Sequence, residues 1–170
     1  QEPDMSAQRY SFLLPCLLVT LLASCGFQLR GELRLPAALK EIRVEVVDPY
    51  TAIDDHLEDA LRRAGARIVE ATDGPSASLR VTALTQVRNP LSVDAAGRAQ
   101  EYELVYSADF KLVGPDGKDV VPNQHIDLRR DYLFDTARAL GNRAEEDLVM
   151  AELQRDMADA ILRRIDVALR

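Results

Sequence analysis

The stretch EYELVYSADFKLV, residues 101–113, decides the fold, because it has the clearest alternation of apolar and polar residues in the chain. This period of two is typical of a strand with one buried face. The apolar face comprises Tyr102, Leu104, Tyr106, Ala108, Phe110 and Leu112, and only Val105 breaks the pattern. A slip of one residue would move the whole set to the other face, so the pairing of this strand is strongly specified.

Two further strands flank this stretch and are joined to it by short turns at 94–98 and 114–118. We expect Asn89-Pro90 to interrupt the upstream strand, and the downstream strand to run from about Gln124 to Phe134. The three strands predict an antiparallel meander. The upstream apolar set is Leu79, Val81, Ala83 and Val87, and the downstream set is Ile126, Leu128, Tyr132 and Phe134.

The region before the meander predicts a strand followed by an amphipathic helix. Alternating Ile42, Val44 and Val46 indicate the strand. The helix should span about 14 residues, with Thr51 as N-cap, Asp54 in capping-box position and Gly65 at C′. Residues 67–70 read as a short extended piece.

A long helix should close the chain. Asn142 is its expected N-cap, with Glu145 as capping-box partner, and the helix should run from Arg143 to Leu169. The acids at 145–147 would then lie in its first turn, and Arg163, Arg164 and Arg170 towards its end, where both suit the helix dipole. Its apolar stripe consists of Met150, Leu153, Met157, Ile161, Ile165 and Leu169, widened by Val149 and Leu162.

The order β-α-β-β-β-α predicts an α+β fold in a single domain. Neither helix is apolar on all sides, so each needs one covered face. A four-stranded, mainly antiparallel sheet with both helices packed on one face provides that cover. The other sheet face carries mixed polar residues and would meet solvent or a partner.

The composition excludes several classes of function. The chain has 170 residues and a formal net charge of −7, which argues against a nucleic-acid partner. His56 and His125 lack the spacing of metal ligands, so we interpret both as ordinary surface or half-buried residues. Motifs for nucleotide binding, zinc proteolysis or serine hydrolysis are missing, and no cofactor is expected.

The N-terminus has the pattern of a secretory signal. The uncharged run from Phe12 to Ala23 is too short to span a bilayer but matches the apolar core of a signal peptide, and Arg9 supplies the positive flank. Residues 1–4 carry two acids, which we interpret as a misassigned start or an added extension. Met5 is a simpler start.

The signal ends in Leu22-Ala23-Ser24-Cys25, which resembles the lipobox of bacterial lipoproteins. We predict S-diacylglycerol and N-acyl modification of Cys25, and thereby stable anchoring. The alternatives are a plain secretory signal cut nearby and an uncleaved anchor. Residues 1–24 would be the signal, 25–40 a lipidated linker, and 41–170 the folded domain. Cys16 would leave with the signal, and the mature charge would be −6, since residues 1–24 carry one Arg and two acids.

The ordered set of motifs resembles the lipopolysaccharide-assembly lipoprotein (LptE) family. The resemblance rests on the start at 25–31, the Leu35-Pro36 pair, the strand at 78–81, the Glu101-Tyr102 pair and the closing helix from Glu145. It implies a non-catalytic protein that plugs and helps assemble an outer-membrane barrel of the LptD type, which places lipopolysaccharide in the outer leaflet. Gly26 after the cysteine resembles outer-membrane rather than inner-membrane sorting.

The resemblance also implies lipopolysaccharide binding by basic residues at one end of the domain. The candidates in this chain are Arg98, Arg138 and Arg143, since arginine suits phosphate geometry. Plain solvated arginines are the alternative for all three. Two other readings of the whole chain remain at this point: an auxiliary lipoprotein of another envelope lipid transporter or secretion machine, and a periplasmic enzyme.

Overall fold

The computed structural model describes Pro36 and residues 39–48, 51–70, 74–134 and 139–170. They belong to one compact unit, Leu33–Arg170. The predicted signal peptide, the lipobox and Arg138 lie outside the described residues. The elements are β1 (Glu41–Val46), α1 (Ile53–Arg63), β2 (Arg67–Ile68), β3 (Ala77–Val93), β4 (Ala99–Val113), β5 (Asp119–Leu133) and α2 (Ala139–Ala168).

One sheet contains all five strands, in the order β2-β1-β3-β4-β5. The α+β class and the β3-β4-β5 meander are confirmed, but the prediction of a four-stranded, mainly antiparallel sheet is wrong. The short extended piece after α1 is a strand, β2, and β1 pairs in parallel with both β2 and β3. The reason is that α1 carries the chain back along the sheet, which is the connection that parallel strands require.

Helix α1 begins later than its sequence suggests. Ala52 is its N-cap residue and makes no side-chain capping bond, so the predicted Thr51 cap is wrong. The Thr51 hydroxyl instead donates to the Asp48 carbonyl, at 3.2 Å. The predicted C-terminus is confirmed: Gly65, at φ +85°, donates to the Arg62 carbonyl, and the next amide donates to the Leu61 carbonyl. This is the bond pattern of a Schellman motif.

Strand β3 differs from its prediction in two ways. It continues through Asn89-Pro90, because β1 pairs with β3 only as far as Val81 and a proline is tolerated where a strand lies at an edge. A β-bulge at Thr82 also inserts one extra residue opposite β4. Ala83 and Val87 therefore lie on the opposite face from Val81, and not on the same face as predicted.

Strands β4 and β5 confirm the predicted faces. The apolar side chains of β4 from Leu104 to Leu112 are buried, and Tyr102 is half-buried. Strand β5 begins at Asp119, five residues before the predicted start at Gln124, because an irregularity beside Pro122 absorbs the break in alternation. Both turns of the meander contain a glycine at positive φ, Gly97 and Gly117.

Helix α2 begins at Ala139, so the predicted cap at Asn142 is wrong and that residue lies inside the helix. The acids at 145–147 accordingly lie beyond the first turn, and the last turn holds no basic residue, so the predicted match to the helix dipole is also wrong. The predicted apolar stripe is confirmed from Leu153 to Ile165.

One hydrophobic core joins the two helices to the sheet. Both helices pack on the same sheet face, α1 over β1 and β2 and α2 over β4 and β5, and they contact each other. The largest fully buried side chains come from both layers. They include Ile53, Leu57 and Leu61 of α1, Leu104, Phe110 and Leu112 of β4, and Met157, Ile161 and Ile165 of α2.

Candidate functional site

The turn between β3 and β4 is fixed by an aspartate. The Asp94 carboxylate accepts from the backbone amides of Ala96 and Arg98 at 2.8 and 2.9 Å, and from the Arg98 side chain at 2.8 Å. These bonds, first of all the one from the Arg98 amide, lower the pKa of Asp94. Arg98 is therefore held at the end of the hairpin with part of its guanidinium already engaged.

An arginine and three aromatic rings lie at the same end, on the helix-covered face of the sheet. We call Arg88, Tyr102, Tyr132, Phe134 and Glu146 the tip cluster. The Arg88 guanidinium lies 4.4 Å from the centroid of the Tyr102 ring. Tyr102 stacks on Tyr132 at 5.8 Å and meets Phe134 edge-on at 5.3 Å. Strand pairing accounts for this arrangement, because Tyr102 is the direct partner of both Pro90 and Tyr132.

Glu146 connects the tip cluster to helix α2. Its carboxylate accepts from Arg88 at 3.0 Å and from the Tyr132 hydroxyl at 2.9 Å. Burial, followed by the bond to Glu146, raises the pKa of Tyr132, while the Tyr132 hydroxyl and then Glu146 raise the pKa of Arg88. Arg88 thus remains a cation with an aromatic ring on one side and a carboxylate at its edge, and the cluster fixes the start of α2 on the sheet.

The structure brings two of the three predicted basic residues to this end. Arg98 is at the hairpin, and Arg143 is exposed near the start of α2, one turn before Glu146. Their surroundings are not strongly positive: residues 88–102 and 143–147 carry five carboxylates and three guanidinium groups. The carboxylates are Asp94, Glu101, Glu145, Glu146 and Asp147, and the guanidinium groups are Arg88, Arg98 and Arg143.

Sequence reasoning missed Arg88 as a member of this site. The face of Arg88 depends on the bulge at Thr82, which no local pattern indicates. The two tyrosines were recognisable as apolar-face residues, but their proximity to an arginine and a glutamate follows only from strand register and the placement of α2.

A second polar group lies on the open face of the sheet. His125 contacts Asp109 through Nδ1 at 2.8 Å and Asp127 through Nε2 at 2.9 Å, and the Ser107 hydroxyl donates to Asp127 at 2.6 Å. The bond to Asp109, followed by that to Asp127, raises the pKa of His125. The serine bonds to a carboxylate and not to the imidazole, so the pair that nucleophilic catalysis requires is not formed.

The two helices also form a shallow polar groove on their outer side. It is lined by His56, Asp59, Arg63, Arg155 and Asp159, with Arg63 and Asp159 4.0 Å apart. Charges of both signs line it, and it is open to solvent. Within the described ranges, no group of histidine, cysteine and acidic residues could hold a metal ion, and no helix is long and apolar enough to cross a membrane.

These features define a class of protein: an α+β domain with one five-stranded sheet and two helices packed on one of its faces. A family model described as "LptE: Lipopolysaccharide-assembly" matches residues 39–165. The chain belongs to this LptE family, whose members are non-enzymatic lipopolysaccharide-assembly lipoproteins.

Individual relatives agree with this assignment. The LPS-assembly lipoprotein LptE of Pectobacterium atrosepticum is 30% identical over 150 residues, covering 88% of this chain and 80% of the relative. That of Yersinia enterocolitica is 28% identical, with coverage of 92% and 75%. These organisms are Gram-negative, and their proteins are named as lipoproteins, which indicates a place in the cell envelope.

Solved structures share the fold. The rare lipoprotein B of Shewanella oneidensis superimposes with a TM-score of 0.64 at 30% identity, covering 74% of this chain and 92% of that one. The uncharacterized lipoprotein B of Nitrosomonas europaea gives 0.67 at 26% identity, covering 83% and 90%.

Proposed function

We propose that this chain is the outer-membrane lipoprotein that plugs and helps assemble a lipopolysaccharide-translocating barrel of the LptD type. We also propose that it assists the insertion of lipopolysaccharide into the outer leaflet. The family match over residues 39–165 carries this proposal. The lipobox-like sequence ending at Cys25 supports the anchor. Family membership makes a periplasmic enzyme the weaker reading.

The charge pattern of the open sheet face supports a place inside a barrel. Polar side chains on this face neutralise one another across strands, as in Arg80–Glu45 at 3.0 Å and Arg129–Glu103 at 3.7 Å. Barrel interiors are polar, and lipid-facing surfaces are apolar. A sheet face whose charges are paired with one another therefore suits a hydrated lumen, because partial removal of water from such pairs costs little free energy.

A pull-down in detergent tests the barrel proposal. The lipidated protein should co-purify in a one-to-one complex with an outer-membrane barrel, and mass spectrometry should identify an acylated N-terminal peptide that begins at Cys25. A complex with a different transporter or secretion machine, and without the barrel, would instead support the auxiliary-lipoprotein reading.

The Cys25→Ala protein tests the anchor separately. We expect it to lose membrane association in cells that lack the barrel partner, because acyl chains supply the membrane affinity. If the variant still fractionates with the outer membrane in those cells, the lipid anchor is not what holds it there.

For lipopolysaccharide we propose that Arg98, Arg138 and Arg143 contact the lipid A phosphates. Arginine forms two parallel bonds to a phosphate, and the bonds of Arg98 to Asp94 leave other guanidinium donors available. The nearby carboxylates oppose an anion, so the affinity should depend strongly on each arginine.

Replacing all three arginines by glutamate should abolish most lipopolysaccharide binding. The matched control changes Arg63, Arg129 and Arg163 to glutamate, which alters the net charge equally at other places on the domain. Affinity is measured for each lipidated protein in detergent. Undiminished affinity in the first variant, or an equal loss in the control, contradicts the assignment.

A further inference from the structure

The sheet has two long edges that differ sharply in charge. Strand β5 forms one edge, and β3 forms the other beyond Val81, where its pairing with β1 ends. An exposed edge offers unpaired backbone groups to other chains, and proteins commonly protect such edges with charged side chains.

The β5 edge is protected in this way. Five of its fifteen residues are charged, and the polar His125 lies among them. The charged residues are Asp119, Asp127, Arg129, Arg130 and Asp131.

The β3 edge lacks protection by charge, and its protecting features are limited to Pro90 and the irregular pairing at Thr82 and after Pro90. We define the open edge as residues 83–93, which contain one charged side chain, Arg88. That side chain is engaged by Glu146 and the Tyr102 ring. In a chain with 29% charged residues, the open edge therefore presents no unpaired charge.

The open edge is also apolar and accessible. Val87, Leu91 and Val93 are 43%, 49% and 61% exposed, and every residue from Thr85 to Leu91 is exposed. Val47, which follows β1 and donates its amide to Val81, is also exposed. Four of the eight large apolar side chains exposed in the described ranges thus lie on the open edge or at the end of the neighbouring β1.

The position next to this edge has the dimensions of one added strand. Strand β1 lies beside β3 as far as Val46. Among the described residues, no strand takes the place of β1 beside residues 83–93. The regular part of the open edge, residues 83–90, spans about 26 Å at about 3.3 Å per residue, and irregular pairing follows Pro90. On its other side, β3 is already paired with β4 along this length.

A second copy of this chain fits the open edge poorly. Antiparallel pairing of 83–93 with itself about its centre would set Arg88 opposite Arg88, and like charges directly opposite are destabilising. Pro90 would also interrupt the ladder twice, once from each copy, because proline has no backbone N–H. An unrelated uncharged segment would meet each of these features only once.

We propose that the open edge accepts an extended, uncharged, apolar-alternating segment of the barrel protein as a sixth strand of the sheet. This inference rests on the proposed function for the identity of the partner. In strand addition the main-chain bonds supply affinity, and the alternate side chains supply specificity. Val87, Leu91 and Val93 would contact the apolar side chains of the added segment.

Amide hydrogen exchange distinguishes strand addition from simple proximity. It is measured residue by residue on the full lipidated protein, alone and in its complex with the barrel in detergent. In the complex, alternate amides of residues 83–89 should slow by roughly a hundredfold, while the outward amides of β5 change little. A complex in which the 83–93 amides are unchanged overturns the inference and leaves the proposed function intact.

The isolated protein tests the other occupants. Protection of the 83–93 amides that grows with protein concentration would identify a second copy. Protection that is already present and independent of concentration would identify another segment of this chain. Either result overturns the inference, and failure to isolate any barrel complex would instead count against the proposed function.

Substitution at the edge gives a second test. Changing Val87, Leu91 and Val93 to lysine should weaken the barrel complex by about tenfold or more, because it adds the charges that protect other edges. The matched control places lysine at Val120, Leu133 and Leu148, which are also exposed. Both variants should keep their melting temperatures, and an equal loss of binding in the two contradicts a special role for the edge.

Discussion

At the residue scale, Gly65 shows how one backbone conformation ends a helix. Its φ of +85° is in the left-handed region, and no atom lies within 4 Å of where a Cβ would stand. A side chain at this position would therefore lower stability through the backbone conformation it must adopt, and not through contact with neighbouring atoms.

Gly65→Ala should lower the free energy of unfolding by about 1–2 kcal/mol, since an L-residue resists this conformation. Gly65→Asn is the control, because asparagine tolerates the left-handed region better, and it should lose less. Urea denaturation measures both. Equal losses would show that conformation is not the cause.

His125 provides a prediction about pH. Its pKa is raised in the folded state by Asp109 and then Asp127, so its stabilising effect is complete below its usual value of about 6.5 and is lost as pH rises through the raised pKa. The pKa of Asp127 is lowered, first by the bond from Ser107. The contribution of the Asp127 carboxylate to folding stability is therefore lost only in acid.

The melting temperature of the wild type should therefore fall more between about pH 5.5 and about pH 8.5 than that of His125→Gln. Ser107→Ala removes a bond to Asp127 but leaves both histidine contacts, so it should keep the wild-type slope. If the His125→Gln slope equals that of the wild type, the two carboxylates do not hold the imidazolium.

At the element scale, a contact with the sheet holds the N-terminal part of α2. The sequence places good capping residues at Asn142 and Glu145, yet the helix extends back to Ala139. Glu146, held by Arg88 and Tyr132, ties this part of the helix to β3 and β5. This contact lies about two turns after the start of the helix, and the capping residues at Asn142 and Glu145 do not set where the helix begins.

Glu146→Ala should cost about 1–2 kcal/mol of stability, because it removes the acceptor of the partly buried Tyr132 hydroxyl and of the exposed Arg88 guanidinium. Alanine is a better helix former than glutamate, so any loss is tertiary in origin. Amides in the first two turns of α2 should also exchange faster. Glu145→Ala, at an exposed neighbour, should stay within about 0.5 kcal/mol, and similar losses in the two would contradict this role for Glu146.

Strand β3 shows where a periodic pattern fails. Alternation correctly assigns Leu79 and Val81 to the core, but one inserted residue at Thr82 reverses the assignment of the positions from Ala83 to Pro90. The same reversal puts Arg88 in the tip cluster. A bulge leaves no strong mark in local sequence, so this error was unavoidable without the partner strand.

At the scale of the whole molecule, one core should make Leu33–Arg170 unfold as a single unit. Residues 33–170 expressed alone should show coincident transitions by far-ultraviolet circular dichroism and tyrosine fluorescence. Phe110→Ala, at a fully buried site on β4, should shift both transitions together by about 3–5 kcal/mol. Separate transitions for helices and sheet would contradict a single core.

The sequence by itself determined the class of fold, the meander, both helices and the buried residues of β4 and α2. Each of these follows from periodicity or turn chemistry, which act over a few neighbouring residues. The family resemblance could also be recognised from the sequence, because the motifs of the family are spread along the chain in a fixed order.

Only the tertiary structure decided the parallel pairing of β1, the bulge at Thr82, the tip cluster and the open edge beside 83–93. The physical reason is common to all of them. Each depends on which distant segments lie side by side, and pairing and packing energies between such segments outweigh the local preferences that a sequence displays.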